Sequence, residues 1–68
     1  MSNIEIKQII LEFLKRSYPK DFSVQEVANE TKFHRNTVSV YLKVMVAEKK
    51  VLITRKIGKA NLYSFLKL

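Results

Sequence analysis

The sequence has no cysteine and no tryptophan, and its 68 residues include one glycine and one proline. Without cysteine there is no disulfide scaffold, no thiolate nucleophile and no Cys-based zinc site. His34 is the single histidine, so a histidine-based metal site has no second imidazole to share the ion. A lone Gly58 cannot make a glycine-rich phosphate loop. No run approaches the ~20 apolar residues of a membrane span. The opening Met1–Lys7 stretch lacks the charged-then-apolar order of a secretory signal. The expectation is a cytoplasmic protein, on the nucleoid or in a host cytoplasm, with no membrane partner. Ser23 has no histidine close by in sequence and reads as a helix cap, and Glu26 and Glu30 read as solvated carboxylates on one helix face. No catalytic constellation emerges, so neither an enzyme nor a cofactor, metal or small-molecule ligand is expected.

Acids are also scarce: six Asp and Glu stand against thirteen Lys and Arg, a net charge of +7. The imbalance is local. Residues 1–31 carry Lys7, Lys15, Arg16 and Lys20 against Glu5, Glu12, Asp21, Glu26 and Glu30, so that half is nearly neutral. From residue 32 onward every charged side chain is basic except Glu48. A near-neutral half joined to a strongly basic one is the electrostatic footprint of a polyanion binder. A basic surface that serves solubility alone fits the charge as well.

The length suits a single domain, residues 1–68, with one core, marginal as a free monomer. Ile6, Ile9, Ile10, Phe13 and Leu14 recur at helical spacing, predicting a helix over about 3–17 that Pro19 stops. Ser23-Val24-Gln25-Glu26 has the form of a capping box, flanked by Phe22 and Val27 as a hydrophobic staple, and opens a short helix over about 24–31. After a break capped by His34 or Asn36, a third helix is predicted over about 35–49, with Val38, Tyr41, Leu42 and Met45 inward. The period then changes. Val51–Ile57 and Ala60–Leu66 read as two strands joined at Gly58, a hairpin that must lie on the helices to be stable.

Three stretches in this order resemble winged helix-turn-helix domains of the MarR-like and ArsR-like bacterial and archaeal regulators. They are Phe22–Ala28, the His34–Lys43 stretch with its Thr37-Val38-Ser39 start, and the basic Leu52–Tyr63 hairpin. The resemblance implies an α+β fold, three helices followed by a two-stranded β-hairpin wing. It also implies a sequence-specific double-stranded DNA-binding transcriptional regulator, with helix 35–49 in the major groove and wing 54–61 on the backbone or minor groove. Such domains pair as homodimers on palindromic sites. Ile4, Ile10, Leu66 and Leu68 are the candidate dimer surface. The sequence departs from the family where Lys50 stands near a usual glycine, which leaves the end of the third helix open, and where Val40 and Val44 replace polar residues.

Side-chain chemistry gives the same segments separate roles. Arg35 and Asn36 carry the donor and acceptor pattern that reads guanine and adenine edges. Thr37, Ser39 and Tyr41 offer hydroxyls to phosphate oxygens, Lys43 a cation, and His34 a cap or a phosphate contact. Val40 and Val44 suit either thymine methyls or a partner chain. Arg55, Lys56 and Lys59 crowd like charges around a glycine tip, an arrangement that an anion relieves. Ser23 and Gln25 on the second helix and Asn61 on the returning strand complete the candidate DNA-binding set. Two rivals keep the same fold: a winged-helix module gripping an acidic protein partner or RNA, and a non-specific DNA-coating protein. Thr37 as a helix cap and the lysines as guards of an exposed strand edge are the structural alternatives.

Overall fold

The computed structural model describes residues 3–67, with side chains from Glu5 to Lys67. Helix α1 covers Asn3–Arg16, α2 Val24–Thr31 and α3 Arg35–Ala47, followed by strands β1 (Val51–Ile57) and β2 (Ala60–Phe65). All five elements bury residues in one core. Ile10 and Leu14 enter from α1, Val27 and Ala28 from α2, Val38, Leu42 and Met45 from α3, Val51 from β1 and Tyr63 from β2. Full burial of a side chain of this size contributes about 1.5–3 kcal/mol, so these contacts dominate the fold's stability. Ile6, Phe13 and Leu11 pack partly buried against them. Ile9, expected on the inner face, is 38% exposed, because the true inward stripe is centred on Ile10 and Leu14 and takes Leu11 instead. For the same reason Ile10 is no part of a spare dimer surface: it is fully buried. Leu66 is half-buried, while the Ile4 side chain and Leu68 lie outside the described residues.

Local chemistry fixes where the helices begin. The Ser23 hydroxyl accepts from the Glu26 amide at 3.2 Å, and the Ser23 amide donates to the Glu26 carboxylate at 3.0 Å, completing the capping box. The His34 ring caps α3, its Nδ1 accepting from the Asn36 amide at 3.1 Å.

The end of α3 answers the question that Lys50 raised. The helix stops at Ala47, two residues before the expected boundary. Lys49, not Lys50, takes the left-handed conformation, at φ 64°. The Lys50 amide donates to the Met45 carbonyl and the Lys49 amide to the Val46 carbonyl. That pair of bonds is the Schellman pattern, in which glycine usually holds the left-handed position.

Strands β1 and β2 pair antiparallel through a two-residue loop that places Gly58 at φ 59°. The register slips between Ile53 and Arg55, so Thr54 is the extra residue of a β-bulge. Phe22, in the segment leading into α2, forms a bridge with Tyr63: its amide donates to the Tyr63 carbonyl at 2.8 Å, and the Tyr63 amide returns a bond of 2.7 Å. Strand β2 is therefore flanked on both edges at this point. Leu62, Tyr63 and Ser64 are all buried, so both faces of the strand are covered there. The expected alternation of faces is present, but it does not separate a wet side from a dry one.

The lysine at the left-handed position makes a direct prediction. Lys49→Gly removes a steric penalty of about 1–2 kcal/mol and adds backbone entropy to the unfolded chain, for a net gain of about 0.5–1 kcal/mol. The thermal midpoint should rise by a few degrees, and Lys49→Val should lower it.

Candidate nucleic-acid interface

At about 100° per residue, Arg35, Asn36, Ser39 and Lys43 share one flank of α3. Three of them are exposed and Ser39 is half-buried. The hairpin tip stands across from this flank, and the start of α2 closes one end. The result is an open cleft that gathers Ser23 from the α2 N-cap, Gln25 from α2, Arg35, Asn36, Ser39 and Lys43 from α3, and Lys59 and Asn61 from the hairpin. Each of these belongs to the set expected from the sequence. Val24, Ala60 and Tyr63 also line it. Tyr63 was legible from strand alternation, two residues after Asn61, whereas Val24 and Ala60 carry no chemical signal that would have marked them.

Three cations face the cleft, and among the described residues no carboxylate lines it. Arg35, Lys43, Lys56 and Lys59 make no ion pair among the described residues. The nearby Glu26 is held by the Ser23 amide. The Lys7 ammonium lies 2.6 Å from Glu48, and the hydrogen bond it donates holds that carboxyl below the usual carboxylate range.

The remaining expected residues stand elsewhere. His34 is exposed with Nδ1 spent on the cap, leaving Nε2 as its outward polar atom. Thr37 and Tyr41 lie on the opposite flank of α3, both half-buried, and Tyr41 packs against the core. Val40 borders the cleft flank beyond Asn36 and is 58% exposed. Lys56 faces Asn61 across the ladder and so shares its side of the hairpin, just outside the cleft.

Arg55 departs most from expectation. It pairs with Leu62, on the other side of the hairpin from Asn61. Its guanidinium lies 3.0 Å from the Asp21 carboxylate, and the Thr54 hydroxyl donates to the same carboxylate oxygen. The three cations of the tip therefore do not project together: Lys56 and Lys59 have no ion-pair partner among the described residues, and Arg55 joins the bulge to the segment before α2. Nothing in the sequence marks this cluster, because 33 residues separate Asp21 from Thr54.

No protein-family model matches this sequence, and no curated protein matches it. Among solved structures, the crystal structure of the apo-Zalpha of zebrafish PKZ is similar, with a TM-score of 0.82 and 25% sequence identity over 98% of this chain and 100% of that one. The fold is a winged helix. In that frame β1–β2 is the wing and α3 occupies the recognition-helix position. The likeness supports the winged-helix architecture expected from the sequence and does not single out the MarR-like or ArsR-like type.

The tether between wing and body is testable through pH. The Thr54 hydroxyl, then the Arg55 guanidinium, hold the Asp21 carboxyl below its ordinary range. The unfolded chain therefore takes up this proton first as pH falls. The tether's contribution is complete above the usual carboxylate range and is lost as pH drops through the lowered folded value. Asp21→Asn should be less stable than the parent at neutral pH, and the gap should close in acid. Urea denaturation at stepped pH measures it, and a gap that does not change with pH contradicts the tether.

Proposed function

We propose that this winged helix binds double-stranded DNA as a sequence-specific transcriptional regulator, with α3 in the major groove and the wing on the flanking backbone or minor groove. One observation carries the reading: a cleft framed by α3 and the wing, lined with three cations, amide and hydroxyl groups, and no described carboxylate. Concentrated unpaired positive charge is repulsive in the free protein and favourable against a polyphosphate. The groups beside it are of the kind that read base edges: Arg35 matches guanine O6 and N7, and Asn36 matches adenine N6 and N7. The Zalpha likeness supports a nucleic-acid-binding frame. Lys43, Lys56 and Lys59 take phosphates in this reading, and Arg55 positions the wing rather than touching DNA.

Salt and sequence dependence test it together. Three lysine–phosphate contacts give log affinity a slope against log salt of about −2.7, at −0.9 per contact. Lys59→Ala should weaken every duplex alike and reduce the slope by about 0.9. Arg35→Ala should lose about 1–3 kcal/mol of discrimination at one base pair. Affinity indifferent to salt favours an acidic protein partner, preference for RNA favours that rival, and indifference to sequence favours the coating protein. The proposal includes a homodimer on a two-fold site; sedimentation at tens of micromolar, with and without a palindromic duplex, shows whether two copies assemble.

A further inference from the structure

Beyond Asn36 the outermost ridge of α3 is apolar. Opposite its buried stripe of Val38, Leu42 and Met45 run Asn36, Val40 and Val44, four residues apart, with Val40 58% and Val44 41% exposed. Exposed valines on a helix otherwise decorated with Arg35, Asn36 and Lys43 are unexplained by packing. They are continuous with the cleft, because Val40 follows Asn36 by one turn on the adjoining arc.

Resting on the duplex-binding reading, we propose that Val40 is a specificity-determining residue that packs on thymine methyl groups while Asn36 reads adenine, so that the site selects A·T-rich major groove. The thymine C5-methyl is the apolar feature of the major-groove edge, and a short branched side chain on a groove-facing ridge is its complement. The spacing agrees. Four helical residues rise about 6 Å, close to two base steps of about 3.4 Å, which lets Asn36 and Val40 address nearby pairs in one groove. Charge argues against a second copy of the chain as the occupant. Apposing two such ridges would bring Arg35 and Lys43 against their counterparts, and α3 has no acid between Arg35 and Ala47 to pair with them.

The experiment compares a short alternating dA–dT duplex with its dA–dU counterpart, which differs only in the thymine methyls, and with alternating dG–dC. The parent chain should bind dA–dT about fourfold more tightly than dA–dU, the factor that burial of one methyl group supplies, and dG–dC more weakly still. Val40→Ala, an exposed substitution that spares the core, should bind dA–dT and dA–dU equally. Asn36→Ala should keep the methyl effect and bind dA–dU and dG–dC about equally, because the adenine contact is lost while the methyl contact remains. A parent chain that binds dA–dT and dA–dU alike overturns this proposal while leaving duplex binding intact. So does a Val40→Ala chain that keeps the methyl effect, or one that changes the sedimenting mass instead. Binding to none of the three duplexes contradicts the interface reading itself, and this proposal with it.

Discussion

The bridge between Phe22 and Tyr63 decides what this chain can present to a ligand. A two-stranded hairpin is marginal in water and has no fixed direction of its own. Two backbone hydrogen bonds to the segment that leads into α2 give β2 a second neighbour and set the hairpin's position relative to the helices. Phe22 adds side-chain contact, its ring centroid 4.9 Å from that of Phe13 on α1, while Tyr63 enters the core. The backbone that carries the bridge continues directly into the Ser23 cap. Wing, helix α2 and cleft are thus positioned by one short stretch, and the cleft between α3 and Lys59 exists because that stretch holds.

Charge follows the same division. Three carboxylates tie elements together or cap them: Asp21 holds Thr54 and Arg55, Glu26 closes the α2 cap, and Glu48 meets Lys7 from α1. Each lies off the cleft, leaving Arg35, Lys43 and Lys59 uncompensated within it. Exposed ion pairs contribute little to stability, so the arrangement matters more for where positive potential is left than for how firmly the chain folds. Concentrated potential of one sign steers a polyanion and speeds its encounter.

Much of this was legible in the residue order. The α1 stop before Pro19, the Ser23–Glu26 box and the Gly58 turn are local, each set by neighbours within a few positions, and the structure places them where the sequence did. The cleft's polar residues were legible for a similar reason, since Arg35, Asn36, Ser39 and Lys43 share a flank once the inward stripe of α3 is known. What escaped was non-local or sterically disfavoured. The Asp21–Thr54–Arg55 cluster joins distant segments through a bulge that no local pattern announces, which is why the pairing of Arg55 with Asp21 was not expected. A left-handed lysine at position 49 runs against residue preference, which is why the end of α3 was open. The second edge of β2 is covered by the Phe22 bridge, and a strand read alone cannot show its second neighbour.

The central claim, that α3 and the wing form one surface for a duplex, is tested most directly by mapping backbone amide chemical shifts during titration with double-stranded DNA. The account predicts that the largest changes fall together on Ser23–Gln25, Arg35–Lys43 and Lys59–Asn61, with the outer face of α1 unaffected. Changes centred on α1, or on α3 with the wing tip silent, would contradict it.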